Sequence, residues 1–405
     1  MEKISVRRDQ ARKRISSGFP GIPNRGPGKK NASDGGPQRP SNLRPLETLD
    51  PAFSWREALS RGPVSASAPC RVDMGGTLDI RTFSYPLQHL GPCTLNIALD
   101  LRTTVRLEPF TAGRVRVTAQ GLGSAEYPAG RAPYSHRLGL MFALADTFHA
   151  TGVHIRIHSD SPPRSALGGS SVAACALAAA LDAAAVQGRA GGAMRPRSVA
   201  LLAHAVEESV AGVPCGYQDQ LAAVYGGVHA WYWVVLPRAA VFQRKRVVPL
   251  ARHRELGRHL LVAYGGIPHV SADVNGRWVR QFVAGRTRAA WEEMARLTKG
   301  FVEALSRGDY GQAAECMHRE TGLRCRLTPE VLDGLGRDLA AAARRAACGA
   351  RFTGAGGGGC LWAIGEAQDI ARLRPRWLEI LARRPGARLL PVEVARQGLA
   401  VHAEG

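Results

Sequence analysis

The sequence predicts a mixed α/β or α+β fold, built as two domains with two packed layers in each half. Three observations point there. Short apolar strands alternate with longer helical patterns along the chain. At 405 residues the chain exceeds the usual size of a single core. Its apolar content of 45% suits a globular interior.

Residues 1 to about 60 read as a disordered basic arm, because Ser17 to Pro45 is rich in Gly, Pro, Asn and Ser and nearly devoid of large apolar residues. Ordered patterning begins near Val64. Thr104–Glu108 and Arg114–Thr118 alternate apolar and polar residues across a turn at Ala112 and Gly113, which predicts a β-hairpin. A helix is expected from about Ser135 to Ala150, stopped by Gly152, then a strand at Val153, Ile155 and Ile157. A glycine-bearing loop at 162–169 leads into an alanine-rich helix from Ser170 to about Gln187. Another helix runs from about Arg197 to Val210 and ends at Gly212. Val228 to Leu236 is a strand, followed by a basic connection from Arg244 to Arg258. The second half opens with the strand Leu260–Tyr264, continues with helical patterns near 277–307 and 329–347, and then reaches a glycine run and the strand Cys360–Ile364. A helix at 367–383 and a strand at 388–394 complete it. The expected divisions are an arm at 1–60, one domain at 61–240 and another at 255–400.

Composition excludes several function classes. No window approaches 18 uncharged apolar residues, so no membrane partner is expected. The N-terminus shows no secretory apolar stretch, and the eight cysteines form no C-x-x-C pair, so a reducing cytoplasm is expected rather than export. The net charge of +21 raises the question of nucleic acid. The first 50 residues carry 11 Lys and Arg against 5 Asp and Glu, and the remaining excess is spread over the whole chain. No groove-reading motif or aromatic platform accompanies it, so compositional bias together with a preference for anionic substrates is the simpler account. Oligomeric state is not legible.

Three segments carry candidate chemistry. Ser159-Asp-Ser-Pro-Pro-Arg-Ser-Ala-Leu-Gly-Gly-Ser-Ser171 joins a strand to a helix. A helix N-terminus offers unpaired N–H groups and positive dipole, and small residues let an anion approach. An ordinary serine-capped turn would look similar, and the Gly-Lys-Ser/Thr ending of a Walker loop is absent. Glu207-Glu-Ser-Val-Ala-Gly-Val-Pro-Cys-Gly-Tyr-Gln-Asp-Gln220 places one carboxylate on a helix and another beyond a Pro/Gly loop. Such a pair can supply a metal ligand and a base, as phosphoryl transfer requires, although a solvated helix face and an N-cap would also explain it. Thr353-Gly-Ala-Gly-Gly-Gly-Gly359 precedes a buried strand, where a loop passing close to a ligand is a better explanation than a linker.

In this order, and together with Ala68-Pro-Cys-Arg-Val-Asp-Met-Gly-Gly-Thr-Leu-Asp79, these segments resemble the GHMP kinase family over about residues 64–395. Val213-Pro-Cys-Gly216 and Asp219-Gln220 are similar to galactokinases; Leu167–Ser171 and Gln218–Gln220 are also similar to heptose-phosphate kinases. The resemblance implies an α+β fold of an N-terminal domain like ribosomal protein S5 domain 2 and a ferredoxin-like C-terminal domain, with the site between them. It implies ATP and Mg2+ as cofactors and a sugar as the acceptor, phosphorylated at the anomeric hydroxyl; a non-sugar alcohol of the mevalonate kind, or an inactive sensor, are the other readings. It implies that Asp219 orients or deprotonates the acceptor hydroxyl and that Arg71 beside it holds the aspartate ionised. Glu207 and Ser171 match the magnesium ligands. Arg164, Ser165, Ala166, Leu167, Gly168, Gly169 and Ser170 match the loop over the ATP phosphates, with Ser171 at its end. Asp79, Gly216, Gly356 and Gly357 fall on the substrate side. Three departures stand out: Arg164 and Ala166 replace glycines, Thr77 and Leu78 stand where galactokinases carry Glu-His, and Arg351 stands in for a lysine upstream of the third motif. An arginine at 164 is expected to need a negative φ and an outward side chain.

Overall fold

The computed structural model describes residues 53–186, 192–212, 214–235, 241–268 and 274–403. Helix α1 (Trp55–Ser60) begins the described chain, capped by Ser54, whose side chain accepts from the Glu57 amide. Its Trp55, Ala58 and Leu59 form an i, i+3, i+4 apolar face buried in the core, and the Trp55 indole donates to the His149 carbonyl. These residues therefore belong to the folded body and not to an arm ending at 60. The rest of the expected arm lies outside the described residues.

The first sheet is built on β1 (Val64–Met74) and the long β2 (Cys93–Pro109), which pair antiparallel around α2 (Arg81–Ser84). It continues with β3 (Arg114–Ala119), β4 (Gly123–Pro128), α3 (Gly139–Thr147), β5 (Val153–Ser159), α4 (Gly169–Ala185), α5 (Pro196–Ala211), α6 (Gln218–Tyr225), β6 (Val228–Trp233) and β7 (Phe242–Val248). The expected hairpin between residues 104 and 118 does not form. β5 inserts between the two strands, antiparallel to β2 and parallel to β3, while β3 forms its hairpin with β4. A two-residue turn signal fixes a change of direction, not the neighbour, and the apolar alternation of β5 competes for the same edge. The basic connection after β6 begins as strand: β7 pairs with β6 and turns Gln243 to Arg246 outward.

The second sheet contains β8 (Leu260–Tyr264), β9 (Gly349–Phe352), β10 (Cys360–Ile364) and β11 (Arg388–Leu390), after a short α7 (His253–Gly257). The order β11-β8-β10-β9 is the ferredoxin-like one. Helices α8 (Val274–Val283), α9 (Arg288–Arg307), α10 (Tyr310–Leu327) and α11 (Gly334–Arg345) fill the first crossover, and α12 (Ala367–Leu381) the second. The chain then returns: β12 (Ala400–Ala403) pairs with β1, so the last residues complete the first sheet and do not belong to a second domain ending at 400. The two cores interleave. Phe301 and Trp362 of the second half join the first core, while Leu78, Ile80 and Phe83 of the first join the second. Among the described residues no helix is long and apolar enough to cross a membrane.

Sequence pattern missed α10 and β9, for one physical reason. Both bury charged residues where an apolar stripe would be expected: Glu320 and Arg324 on α10 and Arg351 on β9 are all fully buried. They form a chain with β1. Arg324 Nε lies 2.8 Å from Glu320 Oε1, Arg351 Nε 3.0 Å from Glu320 Oε2, and Arg351 Nη1 2.7 Å from Asp73 Oδ2. Arg71 Nη1 is 3.5 Å from Asp73 Oδ1. Burial alone would raise the pKa of Asp73 and Glu320, but Arg351, with Arg71 at Asp73 and Arg324 at Glu320, holds both below the usual carboxylate range.

Two carboxylates with depressed pKa values stabilise the fold above the ordinary carboxylate range and lose that contribution as pH falls through their folded-state values. Glu320→Gln leaves Arg324 and Arg351 short of a buried counter-charge. Urea titration at neutral pH is expected to show a loss of about 3–5 kcal/mol, with a flatter acid limb than the parent; parent-like stability would contradict the role given to this chain of charges.

Candidate active site

The loop after β5 delivers α4 with its N-terminus open. Gly168 caps it in the left-handed conformation (φ 81°), which glycine adopts freely. Ser170 and Ser171 begin the helix, and both hydroxyls donate to Glu207 on α5, at 3.0 and 2.7 Å. Gln220 Nε2 donates at 2.7 Å to Glu207 Oε2, the oxygen that Ser171 also binds, while its buried Oε1 has no partner among the described residues. Burial pushes the Glu207 carboxyl up, and the Ser171 bond opposes it. Glu208 is exposed, so Glu207 is the carboxylate that faces the loop.

Seven of the eight expected loop residues line the cavity; Leu167 does not. It is buried in the core, and its carbonyl accepts from the Arg71 amide at 3.2 Å, tying the loop to β1. Arg164 is exposed as expected, but its φ is +54°, and Ala166 stands at +60°. Both keep left-handed geometry that glycine would adopt without steric conflict, so the expected negative φ at Arg164 is wrong. The loop is held from outside: the Ser165 carbonyl accepts from the Cys360 amide at 2.9 Å, and Arg71 Nη1 donates to the Ala166 carbonyl at 2.8 Å.

Asp219 sits in the first turn of α6, directly against this loop; a Cβ on Gly168 would lie 3.3 Å from its carboxylate. Arg71 Nε donates to Asp219 Oδ1 at 2.8 Å, leaving Oδ2 free of that bond. Asp219 is 23% exposed whereas Arg71 is 3% exposed, so of this pair, both of which line the cavity, the carboxylate is the more open.

Beyond Asp219 the cavity is polar. Asp79 is buried there, and its Oδ2 accepts from the Gln218 amide at 3.0 Å. Burial raises its pKa to about 6, the Gln218 bond opposing. Gly216 is required beside it, because a Cβ would stand 1.8 Å from the Asp79 carboxylate. Thr77 and Asn275 line the same cavity, and the buried Asn275 Oδ1 has no partner among the described residues. Gly356 and Gly357 do not reach the cavity. The Gly357 amide donates to the Val331 carbonyl, and Gly356 packs on the same residue, so Gly354 and Ala355 are the third-motif residues that line it. Gly359 instead lets the strand pass Ser165, whose carbonyl a Cβ would meet at 2.6 Å.

The opposite end is an apolar slot between Leu122, Leu138, Met141, Ile157 and Pro162. One cavity of about 550 Å³ thus joins an apolar slot, the open N-terminus of α4 and a polar chamber. That series fits a nucleotide base, its phosphates and a hydroxylated acceptor. Among the described residues no three His, Cys, Asp or Glu side chains cluster as a metal cage. Glu207 and Ser171, with the unpartnered Gln220 Oε1 alongside, suit a magnesium ion that takes most of its ligands from phosphates and water. Sequence reasoning missed Thr77, Gln220 and Asn275 as site residues. Gln220 could have been found, since it lies within the motif with Asp219; Asn275 sits in no recognisable pattern.

Comparison with known proteins agrees with this geometry. Residues 137–227 match the GHMP kinases N terminal domain and residues 301–381 the GHMP kinases C terminal domain. A mevalonate kinase of Thermococcus sibiricus is 25% identical over 334 residues, covering 74% of this chain and 89% of the relative. Two solved structures share the fold. A D-glycero-D-manno-heptose 1-phosphate kinase from Bacteroides thetaiotaomicron superposes with a TM-score of 0.61 at 18% identity, over 84% of this chain and 98% of that one. Lactococcus lactis galactokinase, complexed with galactose, gives 0.62 at 16% identity, over 85% and 97%. With both characteristic domains matched and the site assembled between them, the chain belongs to the GHMP kinase family, phosphotransferases that act on an alcohol group and use ATP.

Proposed function

We propose that this protein is an ATP-dependent sugar kinase that phosphorylates the anomeric hydroxyl of a sugar. The observation that carries the sugar reading is the chemistry of the polar chamber. It offers the Asp79 carboxylate and the Asn275 amide, both suited to accept hydrogen bonds from hydroxyl groups. The relatives named mevalonate kinase favour a second reading, a non-sugar alcohol. Mevalonate carries a carboxylate, which would enter a chamber already holding Asp79 and Asp219. Among the described residues lining that end, Arg71 is the one cation, and it is already paired.

In this reading Asp219 Oδ2 accepts the proton of the acceptor hydroxyl. The hydroxyl oxygen then bonds to the γ-phosphorus, the bond from that phosphorus to the β–γ bridging oxygen breaks, and ADP leaves with the electron pair. Arg71 orients Asp219 through Nε and holds the phosphate loop through Nη1, so one side chain sets the distance between base and phosphate. The amides at the start of α4 oppose the charge that develops on the γ-phosphate. Magnesium, held by Glu207 and Ser171, would supply further charge neutralisation.

A coupled ADP-release screen over hexoses, fucose, heptoses and their phosphates, with mevalonate alongside, is expected to give turnover on a sugar. Turnover on mevalonate alone would overturn the sugar reading. With the acceptor in hand, Asp219→Asn is expected to lower kcat roughly 100-fold or more while ADP binding is retained; near-normal turnover would remove Asp219 from its role as base.

The raised pKa of Asp79 supplies a signature in pH. An ionised Asp79 accepts from a hydroxyl and a protonated one does so poorly. The acceptor KM is therefore expected to rise as pH falls through about 6, and Asp79→Asn is expected to abolish that dependence. A KM profile identical in parent and variant would exclude contact between Asp79 and the acceptor.

A further inference from the structure

Thr77 has a φ of +82°. For a β-branched residue this is an outlier, since the branched carbon crowds the carbonyl in the left-handed region. Thr77 is also buried and lines the polar chamber two residues before Asp79. Strain of this kind persists only where surrounding structure over-determines it. The residue that does so comes from the other half of the protein.

We propose that Arg324 is a positioning residue for the acceptor site: it holds Thr77 in this disfavoured conformation and so sets how Thr77 and Asp79 face the acceptor. Arg324 Nη2 donates to the Gly76 carbonyl at 2.6 Å and Nη1 to Thr77 Oγ1 at 3.3 Å. Its Nε donates to Glu320 at 2.8 Å, and its guanidinium lies against the rings of Trp278 and Trp291, at 4.7 and 4.5 Å from their centroids. Arg324 is fully buried and does not line the cavity, so it acts through the loop and not on the acceptor. The loop it holds closes on itself, the Leu78 amide donating to the Gly75 carbonyl at 3.2 Å and the Ile80 amide to the Thr77 carbonyl at 3.0 Å. Its far end is tied to α6 through Asp79 and the Gln218 amide. Gly76 has no room for a side chain, because a Cβ would stand 2.3 Å from Asp73 Oδ2. The fork of donors on an arginine grips a carbonyl and a hydroxyl together, which the single ammonium of a lysine does not reproduce.

The inference rests on the assignment of the polar chamber to the acceptor, but its test needs no acceptor. Hydrogen–deuterium exchange of the Leu78 and Ile80 amides is measured in the full chain, with Mg·ADP affinity by calorimetry as a control on the nucleotide end. Arg324→Lys is expected to speed exchange of those amides at least 10-fold while Mg·ADP affinity stays within twofold. In a Thr77→Gly background the same change is expected to have a much smaller effect, because glycine takes this backbone angle unaided. Unchanged exchange in Arg324→Lys, or an equal increase in both backgrounds, would reduce Arg324 to a structural ion-pair partner. If Arg324→Lys does not fold, the strain is read directly: Thr77→Gly is expected to melt several degrees above Thr77→Ala, and equal or reversed melting temperatures would overturn the proposal. A negative sugar screen would leave these measurements unaffected, so the two failures are distinguishable.

Discussion

A buried charge has to be paired, and this protein joins six charged side chains, five of them buried, in one alternating series. From the interior outward the order is Arg324, Glu320, Arg351, Asp73, Arg71 and Asp219, with neighbouring partners 2.7–3.5 Å apart. The first five are 0–3% exposed, and of the series Arg71 and Asp219 line the cavity. The series begins on α10, crosses β9 and β1 and ends on α6, and its Arg351–Asp73 link joins the two sheets. Removing one partner from such a series is far more costly than its net contribution to stability suggests, because an unpaired charge remains in the interior.

The same groups hold the parts of the candidate site in register. Asp73 accepts from the Gly354 amide at 2.9 Å and so fixes the third motif. Arg71 binds the Ala166 carbonyl and the Asp219 carboxylate together, coupling the loop before α4 to the proposed base. Glycines then set the close approaches. Gly168 brings the loop to Asp219, Gly216 makes room for Asp79, and Gly359 lets β10 pass beneath Ser165. Pre-organisation here comes from charges that cannot be moved without exposing an unpaired partner, not from a large apolar wall.

Much of this was legible in the sequence, and what was not shares a cause. The motifs around Arg71, Ser171, Glu207 and Asp219 were readable through their order and their resemblance to the GHMP kinase family, since each segment alone also fits an ordinary capped turn or a solvated helix face. The strands β5, β8 and β10 were readable because their alternation or apolar run is uninterrupted. Helix α10 was not, since Glu320 and Arg324 occupy the positions where apolar residues would have revealed its inner face. The φ of Arg164 was misjudged because residue type suggests a backbone preference, whereas Arg71 and Cys360 impose the loop's path from outside. Gly356 and Gly357 were placed at the substrate by their motif, although the first two residues of that loop reach the cavity and the next two pack on Val331. Position within a motif does not tell which side of a loop faces inward.

The central claim is that Asp219, aimed by Arg71, stands between the nucleotide phosphates at α4 and an acceptor hydroxyl in the chamber of Asp79. A crystal structure with a non-hydrolysable ATP analogue and the sugar acceptor tests it most directly. The account predicts the γ-phosphate at the amides of Ser170 and Ser171, the reacting hydroxyl within hydrogen-bond distance of Asp219 Oδ2, and Arg71 still bound to Oδ1. A sugar bound with its hydroxyl remote from Asp219, or phosphates seated away from the start of α4, would contradict it.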